Sequence, residues 1–232
     1  MIVFDGVSID GVAPVQIEDI TVSPIAYSPV TRPRAIRFGS EFVRMRGGER
    51  TITVSFALLV MNKVERHEAI MSLSKWAKTD AEYVLELPTE PGKYLKCVCT
   101  SKPEPSTRAW WENKLKLRFT CFDNPYWTSK QEKLVACGTE FTALGDAPPL
   151  MRILRTLTSS ASNQAYSDGT NTMTFSTVPA GDLVIDLNAQ TAAVGTTSIM
   201  QYYAPSGAFL VPRTGTQTIT GTGTVAYRER WE

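Results

Sequence analysis

Histidine is the rarest residue type in this sequence. Among the 232 residues there is one histidine, His67, so any Ser-His-Asp or Cys-His catalytic arrangement must use it. It stands between Arg66 and Glu68 in a helical pattern, where an exposed or half-packed side chain is expected. The phosphate-binding pattern G-x-x-x-x-G-K-S/T is absent, and no G-x-G-x-x-G follows a strand. We therefore predict that the chain is not an enzyme and has no catalytic, cofactor-binding or metal-binding residues.

A charge excess is also lacking. Lys and Arg together number 24 and Asp and Glu 23, so the net charge gives no reason to expect stable binding of nucleic acid. No apolar run reaches the roughly 18 to 20 residues that span a bilayer, and the first ten residues lack the pattern of a secretion signal. We expect a protein made in a cytoplasm, with no membrane partner.

Cysteines are few and do not have the spacing of a metal site. The four are Cys97, Cys99, Cys121 and Cys137. A C-x-C pair with one histidine in the whole chain is poor zinc spacing, because the usual sites combine C-x₂₋₄-C with a second such cluster. Cys97 and Cys99 share one face of a predicted strand. Buried free thiols in a reducing compartment are the expected state.

The two halves of the chain differ in composition. Lysine does not occur after Lys133, and beyond that point Ser, Thr, Gly and Ala dominate. Gly and Pro punctuate the junction, which places the boundary between about residues 130 and 147. We predict a mainly β protein, with an N-terminal domain of residues 1–135 and a C-terminal β-sandwich of residues 146–232.

The first half alternates short strands with one helix. Asp5-Gly6 between β-branched runs predicts a hairpin, and residues 15–22, 51–58, 83–87 and 94–99 predict strands. Residues 62–79 predict the helix, with Asn62 as N-cap and Glu65 as its capping-box partner. Its apolar residues at helical spacing are expected to pack against the sheet: Val64, Ile70, Leu73, Trp76 and Ala77.

Residues 113–127, NKLKLRFTCFDNPYW, close the first half. Leucine, phenylalanine and cysteine alternate there with lysine, arginine and threonine, which predicts a half-buried strand. The strand must end near Asn124-Pro125, because proline has no N–H to donate.

The second half shows many short alternating segments with turn signals, which is typical of a β-sandwich. Leu183, Ile185 and Leu187 are predicted to share one face, and further strands are predicted at residues 199–204, 208–211, 216–220 and 224–227. Asp182 and Asp186 share the opposite face. They are the residue type of a glycosidase pair, but no aromatic-lined cleft is evident nearby, which favours solvated carboxylates.

A long arm, at about residues 25–50, separates two strands of the first half. It is rich in arginine and ends in Gly47-Gly48, which predicts a flexible turn before the next strand. Such a segment is too long for a simple loop. One interpretation is an arm that pairs with another subunit, and the other is a charged edge hairpin that prevents aggregation. The residues predicted to form a subunit interface are Arg32, Arg34, Arg37, Phe38, Phe42, Arg44 and Arg46.

The order of these motifs resembles the distal tail protein family (Dit) of long non-contractile-tailed phages and prophages. The motifs that carry the resemblance are, in order, Phe4-Asp5-Gly6, the arm ending in Gly47-Gly48, the strand at 51–58, the helix ending in Trp76, the segment YVLELP at 83–88, Tyr94, the segment FTCFDNPY at 119–126 and the closing YRERW at 227–231. The likeness covers the first half and, more weakly, the second.

The resemblance implies a virion structural protein. It predicts a homo-hexameric ring at the end of the tail tube, with a channel through which DNA passes in transit. It further implies an N-terminal β-sandwich or tail-tube-like domain with one α-helix and a long arm, followed by a galectin-like C-terminal β-sandwich. The implied partners are the tail tube protein, a tail-tip protein and a receptor-binding protein. The predicted location is the virion tail, assembled in the bacterial cytoplasm.

Three other functions stay open at this point. The first is a carbohydrate-binding host-recognition protein, for which the candidate stacking residues are Tyr166, Tyr202, Tyr203 and Phe209. The second is a cell-wall hydrolase, which the single histidine disfavours. The third is a related tail-tube or hub protein.

Overall fold

The chain forms two compact units. The computed structural model describes residues 1–33, 40–78, 80–103, 114–204 and 208–232, with the backbone alone at 28–33 and 40–47. Unit 1 comprises Met1–Trp127 together with Glu232, and unit 2 comprises Thr128–Trp231. In the described residues the protein is mainly β, with antiparallel sheets and one α-helix. The functions predicted for residues 1–135 and 146–232 stay predictions.

Unit 1 is built around an antiparallel sheet. Its strands are β1 (Val3–Phe4), β2 (Val7–Ser8), β3 (Val15–Val22), β4 (Tyr27–Pro33), β5 (Ser40–Gly47), β6 (Arg50–Leu58), β7 (Tyr83–Glu86), β8 (Lys93–Cys99) and β9 (Lys114–Cys121). Their spatial order is β3-β6-β9-β8-β7-β1-β2, while β4 and β5 pair with each other. The strands predicted at 15–22, 51–58, 83–87 and 94–99 are confirmed, each to within a residue or so at its ends.

The predicted opening hairpin is confirmed. Phe4 lies opposite Val7, so Asp5-Gly6 forms a two-residue connection. Both connecting residues have positive φ, 51° and 75°, which is the conformation of a type I′ turn. Glycine adopts this conformation without steric cost, and aspartate tolerates it better than most residues.

Alternation along the central strands creates the core of unit 1. On β9, Leu115, Leu117 and Phe119 are buried, while the three basic side chains that alternate with them, at positions 114, 116 and 118, are exposed, as the sequence predicted. Thr120 departs from the pattern, because it is buried although it belongs to the polar row. Four aromatic rings meet in this core: Phe4 lies 5.7 Å from Trp76, 5.6 Å from Tyr83 and 5.1 Å from Phe119, centroid to centroid.

The helix, α1 (Lys63–Trp76), begins where the sequence predicts. The Asn62 side chain accepts a hydrogen bond from Glu65 N at 2.9 Å, and the Glu65 carboxylate accepts one from Met61 N at 3.0 Å. Ala69, Leu73 and Trp76 form its buried face. No helix among the described residues has the length and apolarity needed to cross a bilayer.

One residue predicted for that buried face is exposed. Val64 has 68% of its surface exposed. It precedes Leu73 by about two and a half helical turns and so lies on the opposite side of α1. The prediction for Val64 was wrong because the apolar residues of α1 do not all lie on one face of the helix.

Unit 2 has its own set of antiparallel strands. After β10 (Trp127–Ser129), which begins one residue before the unit, these are β11 (Lys133–Ala136), β12 (Glu140–Ala143), β13 (Ala147–Leu157), β14 (Ala161–Ser167), β15 (Thr172–Val178), β16 (Gly181–Asp186), β17 (Thr191–Val194), β18 (Thr197–Ser198), β19 (Gly215–Thr218) and β20 (Thr224–Trp231). Within the unit the order β18-β17-β16-β13-β20-β11 forms one sheet, and β12–β19 and β14–β15 form two further pairs.

All three of these strand sets contribute to one cluster of buried apolar residues in the described part of unit 2. Leu183, Ile185 and Leu187 are buried in it, as predicted. The strand predicted at 199–204 was wrong, because residues 200–202 form a 3₁₀ turn closed by Tyr203 N donating to Met200 O at 3.1 Å. The described residues 208–211 lie in no strand, although Leu210 is buried. In the first segment Tyr203 forms an isolated antiparallel bridge with Phe175, but in neither segment does the polar-apolar pattern correspond to a strand.

A buried carboxylate connects three parts of unit 2. Glu229 on β20 is 5% exposed, and its Oε1 accepts hydrogen bonds from Lys133 Nζ at 2.7 Å and from Leu144 N at 3.0 Å. Lys133 lies on β11, and Leu144 directly follows β12. Removing this acceptor leaves the Leu144 N–H and the partly exposed Lys133 ammonium without this partner, which is more costly than the loss of a neutral hydrogen bond.

Substituting Glu229→Ala is expected to lower the free energy of unfolding by about 2 kcal/mol. The matched control is Glu140→Ala, since Glu140 is exposed on β12 and is expected to change stability by less than about 0.5 kcal/mol. Urea denaturation of both variants measures the difference. Equal stabilities would show that Glu229 does not hold these elements together.

Candidate assembly surface

The arm is an antiparallel strand pair. β4 pairs with β5 from Tyr27 opposite Gly47 to Pro33 opposite Ser40, with a bulge between Val30 and Thr31. Of the seven predicted interface residues, four lie on these strands: Arg32, Phe42, Arg44 and Arg46. The other three, Arg34, Arg37 and Phe38, lie outside the described residues. The structure therefore supplies the backbone of the two arm strands, and the interface contacts of their side chains stay a prediction.

The arm is a direct extension of two strands of the unit 1 sheet. β3 pairs with β6 up to Val22 opposite Ile52, and the same register reaches Tyr27 opposite Gly47 without an inserted residue. Hydrogen bonds bridge the interval: Ser23 N donates to Thr51 O at 2.9 Å, and Gly48 N donates to Ala26 O at 2.6 Å. Hence β4 continues β3, and β5 leads into β6. The arm is anchored in the sheet rather than attached through a loop.

Gly48 has a structural role at the root of the arm that the sequence did not reveal. Gly47-Gly48 was predicted to form a flexible turn, but Gly47 ends β5 and Gly48 lies within the continued ladder. A Cβ on Gly48 would lie 2.5 Å from the carbonyl oxygen of Ala26. Glycine is needed here because the neighbouring backbone approaches closely, as is common for glycine within strands.

Gly48→Ala is expected to displace the root of the arm and to lower the free energy of unfolding by about 1–3 kcal/mol, the usual cost of overpacking. Gly11→Ala is the matched control, because a Cβ there meets no atom within 4 Å. Chemical denaturation compares the two variants. A Gly48→Ala protein as stable as Gly11→Ala would show that the backbone adjusts freely at the root.

An open strand edge adjoins the arm. Among the described strands, β3 pairs with β6 alone, so its other edge has no partner within unit 1. Such an edge is able to add a strand from another chain. A bulge between Ile17 and Asp19 interrupts it, and two carboxylates, Glu18 and Asp19, are exposed there. Charges and bulges of this kind restrict unwanted pairing, so the edge suits a specific partner better than indiscriminate aggregation.

The outward row of β9 makes one face of the sheet cationic. Lys114, Lys116 and Arg118 are exposed, and they stand opposite Ala57, Ser55 and Thr53 of β6. Lys114 forms an ion pair with Glu18 at 3.2 Å. This face is hydrophilic and only weakly compensated by acidic groups, so it offers a polar surface rather than an apolar docking patch.

The residues considered for catalysis are not brought together. His67 is exposed on α1. Asp182 Oδ1 accepts a hydrogen bond from Thr156 Oγ1 at 2.7 Å, while Asp186 Oδ1 accepts from Asn188 N at 2.9 Å and from Ala189 N at 2.8 Å. Each aspartate therefore stabilises local structure. In the described ranges, no group of three or more His, Cys, Asp and Glu side chains has an arrangement that could hold a metal ion.

The aromatic residues considered for carbohydrate stacking pack against the core of unit 2. Tyr166 is 1% exposed and belongs to the buried cluster. Tyr203 lies 5.7 Å from Phe175 and 5.6 Å from Phe209, centroid to centroid, and Tyr202 also packs against the cluster. A stacking platform needs an exposed ring face, which Tyr166 lacks, whereas Tyr202, Tyr203 and Phe209 are partly exposed. Burial therefore disfavours Tyr166 alone among the four candidates.

Comparison with known proteins yields a match of fold. No family model matches the chain, and no curated protein matches it in sequence. Over its whole length, however, the fold is that of a phage distal tail protein. One matching structure is that of the SPP1 Dit protein (gp 19.1), described as a paradigm of the hub adsorption apparatus of phages that infect Gram-positive bacteria. The TM-score is 0.76 at 14% sequence identity, with 100% of this chain and 98% of that chain covered.

Two baseplate structures are more distantly similar. They are those of the phage P2 baseplate in its activated conformation, with calcium and with strontium, and both have a TM-score of 0.48 at 9% identity. They cover 95% and 94% of this chain, respectively, and 91% of the matched chain in each case.

Proposed function

We propose that the chain is a structural phage tail protein, an adaptor that joins the distal end of the tail tube to the tail tip. The observation that carries this proposal is the fold shared with SPP1 Dit, which extends over 100% of this chain and 98% of that one. The matched residues therefore include both units and the stretch of sequence that joins them. The absence of a clustered catalytic site among the described residues is compatible with a structural role.

Unit 1 is the proposed ring-forming unit, and the ring is a homo-hexamer. A ring requires a heterologous contact, in which one surface of a subunit meets a different surface of the next. The arm and the open edge of β3 are the surfaces proposed for this contact. Each has a strand edge that pairs with no other strand in the described part of unit 1. The proposed contact residues are Arg32, Arg34, Arg37, Phe38, Phe42, Arg44 and Arg46.

The ring encloses a channel through which DNA passes in transit. The net charge of the chain is +1, so the ring does not carry a strong positive charge that would hold DNA at every phosphate. The tail tube protein binds one face of the ring, and a tail-tip protein binds the other.

Unit 2 is proposed to be a galectin-like β-sandwich that contacts tail-tip or receptor-binding proteins. Its sheet β18-β17-β16-β13-β20-β11 and the pairs β12–β19 and β14–β15 all contribute to one buried cluster, as two packed layers would. A protein partner is proposed rather than a glycan because one of the four candidate stacking residues, Tyr166, is buried.

Immunogold electron microscopy tests the proposed function. Antibodies raised against the purified chain are applied to tailed particles from the bacterium that carries its gene, and antibodies pre-absorbed with the chain serve as control. Gold is expected at the distal end of the tail. Labelling confined to heads or to free debris, on particles with intact tails, would contradict the proposal.

A further inference from the structure

Two buried thiols of unit 1 face each other on neighbouring strands. β8 and β9 pair with Val98 opposite Thr120 and Cys99 opposite Phe119. The same register, carried one residue further, places Cys97 opposite Cys121. Both cysteines are fully buried, at 0% exposure.

Their position in the ladder is the one that brings side chains closest. Thr100 N donates to Arg118 O at 2.8 Å, which makes that pair a hydrogen-bonded position. Hydrogen-bonded and non-hydrogen-bonded pairs alternate along an antiparallel ladder, so Cys97 and Cys121 occupy a non-hydrogen-bonded position. At such positions the Cα atoms are about 4.5 Å apart, which lies within the range that a disulfide spans.

The two thiols also interact directly. A hydrogen bond with the Cys121 thiol raises the pKa of Cys97 well above its ordinary value, and burial raises it further. The thiolate is the reactive form of cysteine, so Cys97 reacts slowly with oxidants while the protein is folded.

The other two cysteines do not have this geometry. Cys99 lies opposite Phe119, and its Sγ donates to Ser101 O at 3.2 Å. Cys137 lies in unit 2. Among the four cysteines, the register of the sheet therefore selects one pair.

We propose that Cys97 and Cys121 are a disulfide site, which closes when the chain meets a low-molecular-weight disulfide such as oxidised glutathione. In the first exchange one thiolate attacks the oxidant, and one glutathione leaves as its thiolate. The second cysteine thiolate then attacks the mixed disulfide and releases the second glutathione. Two protein thiols are oxidised to one S–S bond, and one glutathione disulfide is reduced to two thiols. The bond joins β8 to β9, and the inference does not rest on the proposed tail function.

Refolding in a glutathione buffer tests this proposal without depending on exposure of the buried thiols. The full-length chain is unfolded in urea and refolded with oxidised and reduced glutathione, and its remaining thiols are alkylated and counted by mass spectrometry. We expect the free thiols to fall from four to two, with a loss of about 2 Da and no bound glutathione.

Single substitutions identify the pair. Cys99→Ala is expected to retain one free thiol after oxidation, because Cys97 and Cys121 still close. Cys97→Ala is expected to retain all three of its thiols. Fragmentation of the oxidised wild-type protein provides an independent assignment if a variant does not fold. Four free thiols in the refolded wild type, or a Cys97→Ala protein that still loses two thiols, would overturn the proposal.

Discussion

Replacing residues 28–46 by Asn-Gly is expected to abolish ring assembly and leave unit 1 folded. Tyr27 and Gly47 lie directly opposite each other at the root of the arm, so a two-residue turn closes the ladder there. Asn-Gly favours the type I′ turn that such hairpins use. The shortened chain loses the arm but keeps the hydrogen bonds that connect β3 to β6. Light scattering is expected to give the mass of a monomer, with circular dichroism unchanged in shape.

A second variant distinguishes the backbone of the arm from its charges. Arg32, Arg44 and Arg46 are replaced together by alanine, while the strands β4 and β5 are kept. If the arginines make inter-subunit ion pairs, this variant forms rings that dissociate at lower protein concentration than those of the wild type. Wild-type rings should in that case weaken with added salt, because exposed ion pairs are screened. Rings of normal mass from the chain without residues 28–46 would show that the arm is not an assembly element.

Phe4→Ala is expected to have the largest effect on stability, lowering the free energy of unfolding of unit 1 by about 3–5 kcal/mol. Phe4 is 0% exposed, and its ring contacts Trp76, Tyr83 and Phe119 at the centre of the unit 1 core. Truncation removes these contacts and leaves a cavity between α1 and the sheet. Urea denaturation followed by tryptophan fluorescence measures the change.

Val7→Ala is the matched control for Phe4→Ala. Val7 lies directly opposite Phe4 in the opening hairpin, but 49% of its surface is exposed. It is expected to cost less than about 1 kcal/mol, because little apolar surface is lost from the core. A Phe4→Ala protein within that range would show that the aromatic cluster is not the centre of the core.

Local signals in the sequence predicted most of unit 1. Asp5-Gly6 determines its hairpin because both residues accept positive φ. Asn62 caps α1 by accepting a hydrogen bond from the N–H of Glu65, three residues later. The alternation of apolar and polar residues on β9 predicted its buried row, because one face of the strand is exposed to solvent. Each of these features depends on residues close together in the chain.

Features that depend on distant partners were missed or misread. The need for glycine at position 48 arises from the carbonyl of Ala26, which the register of two strands brings within contact. Residues 199–204 and 208–211 contain apolar side chains that pack on the core of unit 2 outside any strand, although Tyr203 forms an isolated bridge with Phe175. The spacing of apolar residues along a segment indicates which of its side chains are buried, but it does not indicate which strand, if any, pairs with that segment.

The candidate assembly surface was predicted in part. The arm was recognised from its length and its arginines, since a segment of that size between two strands requires a role. Its continuity with β3 and β6, and the open edge of β3, became visible only through the register of the sheet. The pairing of Cys97 with Cys121 was likewise hidden, because the sequence places them on one side of the sheet without saying which strands are neighbours.

The most direct test of the central claim is the mass of the purified full-length protein in solution, measured by light scattering together with negative-stain images of the same fraction. A ring-forming adaptor is expected to give about six times the chain mass of 25.6 kDa, with ring-shaped particles. A monodisperse monomer without rings, across the concentration range of the measurement, would contradict assembly through surfaces of this chain alone.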